Sequence, residues 1–378
     1  MFICDICKNH DEKYIGYKNG EPYCRKCISF QGRQAQENNS KSFKSKLNLS
    51  YRLSKDQYRA SFQIASAIGK KQNVLVSAVC GAGKTELTYK VIHQSLILGK
   101  QVGFAIPRRD VVIEIFQRLK YVFPLNKVIA VYGGHHQILE GEIIVLTTHQ
   151  LFRYENYFDL LIVDETDAFP FAGDEVLMNL LKRSLKGEYV MMSATVEKNY
   201  LNNFQKEGGC LISLDQRYHG HPLPVPQIKE KIGLLKYFFL LRKLKEYVQK
   251  QQPVFIFTPT IFLCEELFNF LNKWVKGGNY VHSKRENRSQ IISDFRLNKY
   301  SFLVTTSVLE RGVTIKNLQV VVFESDHPIY NKATLVQIAG RVGRKIDAPS
   351  GDVLFIANKT TKFMKEAVNE INTKNKSL

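Results

Sequence analysis

Residues 78–85, Ala-Val-Cys-Gly-Ala-Gly-Lys-Thr, have the types and spacing of a loop that binds the phosphates of a nucleotide. Gly81 and Gly83 allow backbone N–H groups to approach phosphate oxygens closely. We expect Lys84 to pair with the β- and γ-phosphates and the hydroxyl of Thr85 to bind Mg²⁺. The expected ATP contacts in this loop are Gly81, Ala82, Gly83, Lys84 and Thr85.

The sequence around this loop is typical of a P-loop. The apolar run 74–79 predicts a buried parallel strand, and 86–98 predicts a helix, so strand, glycine loop and helix follow in order. Ala78 replaces the first glycine of the usual pattern, but alanine is small and the N–H donors remain. Upstream, Leu-Ser-x-x-Gln ending at Gln57 resembles the glutamine motif that reads adenine in helicase-like ATPases; a glutamine on a helix surface is the alternative.

Two carboxylates follow a second predicted strand. The run 160–163, Leu-Leu-Ile-Val, leads directly into Asp164 and Glu165. The carboxyl end of a parallel strand is where α/β sheets bind ligands. We therefore expect Asp164 to hold Mg²⁺ through water and Glu165 to orient and deprotonate the attacking water, the alternative being an acidic loop without chemistry.

Polar residues also follow other predicted strands. Ser193 and Thr195, after the run 189–192, resemble a motif that couples the ATP state to domain closure. Arginine and threonine at the remaining strand ends suit contacts with sugar and phosphate, although ordinary helix starts are the alternative. The candidate DNA contacts are Arg108, Thr147 and Thr148 in the first half of the chain and Thr258, Ser283 and Thr305 in the second.

A pair of arginines near the other end suggests the second half of an ATP site. Gln337, Arg341 and Arg344 are spaced i, i+4 and i+7, which predicts one helix with these side chains on a shared face. Guanidinium groups neutralise charge that develops on the γ-phosphate, and Gln337 would position water. We expect Gly312 to let the backbone approach the nucleotide. A solvated basic helix is the alternative.

Four of the seven cysteines form two Cys-x2-Cys pairs, separated by 16 residues, at the start of the chain. This spacing is typical of a four-thiolate zinc site, and four protein ligands leave no position for water. We predict a structural zinc ion whose binding supplies the folding energy of the segment; a redox pair or a chance pattern is the alternative. The predicted ligands are Cys4, Cys7, Cys24 and Cys27.

The charge balance limits the class of partner. The chain has 54 Lys and Arg against 35 Asp and Glu, a net charge of +19 in 378 residues. Such an excess indicates a polyanion, either nucleic acid or an anionic membrane surface, although charge can also serve solubility alone. The sequence has no apolar run near the ~20 residues that cross a bilayer and no secretory signal pattern, which predicts a cytoplasmic protein.

The motifs predict an α/β protein with two tandem RecA-like domains, each a parallel sheet flanked by helices, after a small four-cysteine module. About 250 residues between the two motifs of the ATP site leave room for two domains that close on ATP. The predicted segments are a zinc module (1–33), a basic linker (34–50), the first domain (51–214), a linker with three prolines (215–228) and the second domain (229–378).

The order of these motifs is that of superfamily 2 helicases and translocases. Four stretches narrow the resemblance to the ComFA family, the late competence ATPases of Gram-positive bacteria, and it covers nearly the whole chain. These stretches are 23–33, 164–171, 309–314 and 337–344. The resemblance implies a motor that helps to import single-stranded DNA in natural transformation, peripheral at the inner face of the cell membrane. It also implies contacts with ComFC, DprA and the membrane DNA-uptake channel, and assembly into homo-oligomers.

We therefore expect an ATP-dependent translocase on single-stranded DNA with ATP, Mg²⁺ and a structural Zn²⁺ ion. A replication or repair helicase resembling PriA is one alternative, and a non-catalytic DNA-binding scaffold is another. No long insertion suggests a wedge that separates strands. Thr314 stands where many DEAD-box proteins have aspartate, which weakens the interpretation as an RNA helicase.

Overall fold

The computed structural model describes residues 2–27, 30, 32–36, 42–79, 81–165, 175–193, 198–309 and 314–376. The chain forms two compact units, one of residues 1–78 and 83–214 and the other of residues 79–82 and 215–378. Each unit contains one large sheet in which the described strand pairs are parallel.

The first unit begins with a β-hairpin made of β1 (Ile15–Lys18) and β2 (Glu21–Cys24). Its two-residue turn is Asn19-Gly20, and both residues have positive φ, 52° and 84°. Asparagine and glycine tolerate this conformation, and it matches the twist of paired strands. The hairpin therefore returns the chain so that Cys24 lies opposite Ile15.

The rest of the first unit alternates strands and helices. Helix α1 begins after Ser54, which caps it by accepting a hydrogen bond from the backbone of Gln57. The elements in chain order are α1 (Lys55–Gly69), β3 (Val74–Ala78), α2 (Lys84–Leu87), α3 (Tyr89–Ile97), β4 (Val102–Ile106), α4 (Arg109–Val122), β5 (Val128–Val131), β6 (Ile143–Thr147), β7 (Phe158–Asp164), α5 (Glu175–Ser184), β8 (Leu185–Ser193), α6 (Lys198–Lys206) and β9 (Cys210–Leu214).

The seven strands lie in the order β5-β6-β4-β7-β8-β3-β9. Every residue of β4 and β6 is buried, as expected for strands covered by helices on both faces. Strand β8 lies between β7 and β3. In β8, Met192 is paired with Asp164 of β7, and the next residue, Ser193, is paired with Ser77 of β3. The carboxyl ends of these three strands therefore meet at one edge of the sheet.

The second unit repeats this architecture with six strands in the order β10-β15-β14-β11-β13-β12. Its first strand begins at Gln227 and so includes the last two residues of the segment predicted as a proline-containing linker. Among the described residues, no helix combines the length and apolarity needed to span a membrane. The elements are β10 (Gln227–Glu230), α7 (Leu235–Gln249), β11 (Val254–Phe257), α8 (Ile261–Trp274), β12 (Gly278–Val281), α9 (Arg288–Arg296), β13 (Phe302–Thr305), β14 (Gln319–Phe323), α10 (Lys332–Ala339), β15 (Val353–Ala357) and α11 (Lys362–Lys376).

The expected fold class is confirmed. Both large sheets are parallel and flanked by helices, and the four-cysteine segment precedes the first of them. The apolar runs 102–106 and 254–257 coincide with β4 and β11, whose residues are all buried. Strand β7 extends beyond the run 160–163 by two residues at its start and one at its end, β8 begins four residues before the run 189–192, and β3 ends one residue before the run 74–79 does.

A buried arginine attaches the segment after the cysteine module to the first unit. Arg153 is only 5% exposed, and its Nη1 donates to the backbone oxygen of Arg33 at 2.9 Å. Its Nε donates to Oε1 of Gln150 at 2.7 Å. The backbone N–H of Ala35 donates in turn to the oxygen of Arg153 at 2.9 Å. These bonds hold residues 32–36 against the unit.

The described residues from 42 onward also pack along the first unit. The ring of Phe43 is buried, so part of the segment predicted as a basic linker contributes to the core. The backbone of residues 43–48 is hydrogen-bonded to α4, to Leu96 in α3 and to the loop after α4. The bonds join Phe43 N to Leu96 O (3.1 Å), Asn126 Nδ2 to Lys44 O (3.1 Å) and Asn48 N to Val122 O (2.8 Å).

We expect Arg153→Ala to release residues 32–36. Loss of a charged donor to this backbone carbonyl costs about 1–2 kcal/mol, so limited trypsin cleavage after Arg33 should become about 5- to 30-fold faster. The measurement is the cleavage rate by gel and mass spectrometry. Arg242→Ala is the control, because Arg242 is exposed and its contacts, with Glu246 and the ring of Phe239, lie on the surface of another helix. An unchanged cleavage rate in Arg153→Ala would show that these bonds do not hold the segment.

Candidate ATP site and metal centre

The phosphate loop has the backbone that its glycines predict. Gly81 and Gly83 have φ of 84° and 78°, in the left-handed region where side chains other than glycine are strained. Strand β3 ends before the loop, and α2 begins at Lys84, which is partly exposed, while Ala82 and Thr85 are buried. Helix α2 leads directly into α3 through Thr88, whose hydroxyl donates to the backbone oxygen of Thr85 at 2.7 Å. The predicted sequence of strand, loop and helix is therefore present.

Gln57 lies against this loop. Its side-chain Oε1 accepts a hydrogen bond from the backbone N–H of Ser54 at 3.0 Å, which completes a capping box at the start of α1. A methyl group placed on Gly83 would collide with Nε2 of Gln57. The side chain therefore contacts the phosphate loop and caps a helix. Its contact with adenine stays a prediction.

The two carboxylates lie where β7 ends. Asp164 is the last residue of the strand, and its Oδ1 accepts a hydrogen bond from the backbone N–H of Glu165 at 2.8 Å. Glu165 has a φ of 59°, which for a side chain with a Cβ costs about 1–2 kcal/mol relative to ordinary backbone. Strain of this kind is concentrated at functional sites. Both residues are partly exposed, and Oε2 of Glu165 is itself buried.

Ser193, expected to couple ATP binding to domain closure, ends β8 and is buried at 2% exposure. It is paired with the strand that leads into the phosphate loop, and its neighbour Met192 is paired with Asp164. It is therefore placed between the two candidate ATP motifs of the first unit. Thr195 and Gly312 lie outside the described residues.

The structure contradicts the prediction that Gln337, Arg341 and Arg344 share one helix. Helix α10 contains Gln337 but ends at Ala339, and both arginines lie in the turn that follows. In a continued helix, Gly340 O would accept the backbone N–H of Arg344; instead it accepts Nε of that side chain at 3.0 Å.

The burial of these three side chains differs. Gln337 is 5% exposed and Arg341 is 2% exposed, whereas Arg344 is partly exposed. The turn is sharp because Gly343 has a φ of 69°, which helical backbone does not adopt.

Most of the candidate DNA contacts are buried. Thr147, Thr148, Thr258 and Thr305 are between 0% and 9% exposed. The hydroxyl of Thr258 donates to the backbone oxygen of Thr305 at 3.2 Å, so this pair links β11 to β13. Arg108 is partly exposed and Ser283 is exposed.

The four N-terminal cysteines converge. Their sulfur atoms lie within 4.8 Å of one another, and all four residues are buried. Sγ of Cys7 and Sγ of Cys24 are 3.7 Å apart, close to the roughly 3.8 Å edge of a tetrahedron with zinc–sulfur bonds of about 2.3 Å. The donor set therefore fits a structural zinc ion.

The thiols differ in acidity without a metal. Burial raises the pKa of Cys7 to about 11 and raises that of Cys27 further. For Cys4 the effect of burial is outweighed by hydrogen bonds from the backbone N–H groups of Cys7 and Ile6, which lower its pKa. Zinc binds thiolates, so binding must release protons from at least the first two.

The cysteine cluster is attached to α5, which no sequence motif indicated. Nδ2 of Asn179 donates to the backbone oxygen of Cys7 at 2.7 Å. Val176 packs against the cluster from the same helix, and Phe30 packs against both the cluster and Phe152. The sequence of α5 is amphipathic, which indicates that one face of the helix is buried, but this pattern does not specify that the face contacts the cysteine cluster.

A second group missing from the sequence interpretation lies in the predicted proline-containing linker. Arg217 is 3% exposed and donates from Nη1 to the backbone oxygen of Gly343 at 2.7 Å. Its signal in the sequence was only a basic residue shortly before three prolines. Both residues belong to the second unit.

Two family models match the chain. One is the DEAD/DEAH box helicase model over residues 55–203, and the other is the helicase conserved C-terminal domain model over residues 236–345. The first match includes the phosphate loop and the carboxylates, and the second includes the arginine turn.

Two curated relatives match along nearly the whole chain. Competence protein ComFA of Bacillus subtilis is 32% identical over 399 residues, which covers 99% of this chain and 86% of the relative. Competence protein ComFA of Streptococcus pneumoniae is 34% identical over 394 residues, which covers 99% of this chain and 90% of the relative.

A solved structure, Dbp5 of S. cerevisiae bound to RNA and ADP BeF3, has a TM-score of 0.65 at 16% identity, covering 86% of this chain and 92% of that chain. A likeness at this identity supports the two-domain fold alone. The identity to the two curated relatives extends over nearly the whole chain, and both helicase domain models match it. This chain therefore belongs to the ComFA family and is a superfamily 2 helicase-like ATPase.

Proposed function

We propose that this chain hydrolyses ATP to move along single-stranded DNA, and that this movement drives the import of transforming DNA during natural competence. The observation that carries the proposal is the sheet order of the first unit. It brings the phosphate loop, Ser193 and the carboxylates of Asp164 and Glu165 to one edge, in a chain whose relatives are competence proteins.

In the proposed reaction, Lys84 pairs with the β- and γ-phosphates, and Glu165 takes the proton of the attacking water. Thr85 and Asp164 supply the hard oxygen ligands that Mg²⁺ prefers, and both flank the edge where the phosphates would lie. When bound, Mg²⁺ neutralises charge on the phosphate oxygens. The strained backbone of Glu165 supports its assignment as a functional residue.

The remaining residues of the proposed site come from both units. Arg341 and Arg344 stabilise charge on the γ-phosphate, and Gln337 orients water. Gly312 and Gln57 contact the nucleotide. Ser193 and Thr195 transmit the state of the nucleotide to the units, so that ATP closes them and hydrolysis opens them. Alternate grip by the two units then moves the strand.

The proposed DNA contacts are chiefly to the sugar-phosphate backbone. A net charge of +19 favours such contacts, and Arg108 and Ser283 are the candidates with exposed surface. The buried threonines at the strand ends would act by holding the loops that carry the contacts. We favour translocation over strand separation because the sequence has no long insertion that would form a wedge.

We propose that the four cysteines hold one structural zinc ion and that the filled site stabilises the first unit. The contact of Asn179 with Cys7 and the packing of Val176 support this, because they join the cluster to α5. By family resemblance we extend the proposal to a place at the inner face of the cell membrane, to contacts with ComFC, DprA and the uptake channel, and to a homo-oligomer.

The first test is steady-state ATP hydrolysis with single-stranded DNA, duplex DNA or RNA. We expect stimulation by single-stranded DNA, and a loss of about 10²- to 10⁴-fold in kcat for Glu165→Gln because its general base is removed. Lys84→Ala should also lose hydrolysis yet bind DNA. Glu207→Gln, at an exposed residue just after α6, is the control and should turn over normally.

Each other outcome points to an alternative. Equal stimulation by RNA would contradict specificity for DNA. Robust unwinding of forked duplex would favour a helicase resembling PriA. No turnover above Glu165→Gln in zinc-loaded protein would leave a DNA-binding scaffold.

Binding of single-stranded DNA should weaken steeply with salt. Each neutralised phosphate contributes a slope of about −0.7 to log K against log salt, so Arg108→Ala should make the slope shallower by about 0.7 on every sequence tested. The measurement is fluorescence anisotropy with oligo-dT and mixed oligonucleotides between low and high salt. Arg59→Ala is the control, since Arg59 is exposed and paired with Asp56. An affinity independent of salt would refute binding through phosphates.

Purified protein should contain one zinc ion per chain. Cys7→Ser should lose the ion and lower the thermal unfolding temperature, because the cluster is packed against α5 and Phe30. Metal analysis and calorimetry measure the two effects. Cys210→Ser is the matched control, as Cys210 lies outside the cluster and is partly exposed. Zinc-free wild-type protein with unchanged stability after zinc addition would exclude a structural zinc site.

A further inference from the structure

A buried arginine contacts the turn that carries Arg341 and Arg344. Arg217 is 3% exposed, and its Nη1 donates to the backbone oxygen of Gly343 at 2.7 Å. Its Nη2 lies 3.5 Å from the oxygen of Gly340, at the limit of a hydrogen bond. The planar guanidinium group therefore spans both ends of the turn.

The same turn fixes the side chain of Arg344. The oxygen of Gly340 accepts Nε of Arg344 at 3.0 Å, so Arg217 and Arg344 approach one shared acceptor. Gly343 adopts a φ of 69°, and a Cβ there would collide with the backbone oxygen of Pro349 and lie 2.8 Å from Nη1 of Arg217. Close approach of Arg217 therefore requires glycine at this position.

Two residues next to Arg217 contact the turn as well. The hydroxyl of Tyr218 donates to the backbone oxygen of Arg344 at 3.3 Å. Nε2 of His219 lies 3.0 Å from the oxygen of Gly343, while its Nδ1 accepts the backbone N–H of His221 at 3.2 Å. Both bonds of His219 require the neutral ring with the proton on Nε2, and burial lowers the pKa of this histidine, which favours that form.

We infer that Arg217 is a positioning residue for ATP hydrolysis, which holds the Gly340–Gly343 turn so that Arg344 is oriented before the nucleotide is bound. This inference rests on the proposed role of Arg344 as an arginine finger. It assigns a role in the reaction to a segment that connects the two sheets in sequence. Tyr218 and His219 assist by fixing the backbone on either side of the same contact.

The test is a double-mutant cycle on kcat for ATP hydrolysis with Arg217→Ala, Arg344→Ala and the double variant. A misplaced catalytic group costs about 10²-fold, so we expect a loss of that order in Arg217→Ala, with KM for ATP changed by less than about 3-fold. Because Arg217 acts through Arg344, adding Arg217→Ala to Arg344→Ala should lower kcat by no more than about 3-fold. Arg217→Lys, which keeps one donor, should lose less than Arg217→Ala.

Two controls separate positioning from stability. Arg183→Ala removes another largely buried arginine that donates to a backbone oxygen, that of Phe152, in the first unit. It should lower the unfolding temperature while leaving kcat within about 3-fold. If Arg217→Ala does not fold, Arg217→Lys and His219→Ala provide the test, and each should lower kcat without raising KM.

The outcomes distinguish this inference from the proposed function. If Arg344→Ala hydrolyses ATP at the wild-type rate, the finger role fails and the inference fails with it. If Arg344→Ala is impaired but Arg217→Ala is normal, or if the two losses multiply in the double variant, only the inference is overturned. Loss in both single variants without multiplication supports it.

Discussion

The position of β8 between β7 and β3 is the constraint on which the candidate ATP site depends. Neighbouring strands are about 4.8 Å apart, so one intervening strand separates the phosphate-loop strand from the carboxylate strand by roughly 10 Å. The phosphate-loop strand and the carboxylate strand therefore end at the same edge of the sheet without being neighbours, and the end of β8, at Ser193, lies between them.

Apolar runs predicted the two sheets well because hydrophobic burial is a local property of the sequence. Strands β4 and β11 begin and end where the runs 102–106 and 254–257 do, and all their residues are buried. The cysteine cluster was equally predictable, since each Cys-x2-Cys pair fixes two sulfur atoms through short-range geometry. Types and spacing also predicted the phosphate loop and the carboxylates, whose chemical roles remain proposals.

Contacts to backbone atoms were not predictable, because every residue has a backbone carbonyl and the residue type does not indicate which carbonyl accepts a hydrogen bond. The backbone N–H of Ala35, in the segment predicted as a linker, donates to the oxygen of Arg153, so this segment packs on the first unit. The helix expected through Arg344 was wrong for a related reason. The helix cannot continue because the oxygen of Gly340 accepts Nε of Arg344 and because Gly343 has a positive φ. The spacing of the three residues does not indicate either feature.

The left-handed backbone of Glu165 sets stability and activity against each other. Asparagine and glycine adopt this conformation with less strain, so either would relieve part of it, but neither carries a carboxylate to accept a proton. A search for thermostable variants of this protein would therefore tend to select replacements at position 165 and recover folded molecules that no longer turn over. Stabilisation by directed evolution would need an activity screen applied in the same round.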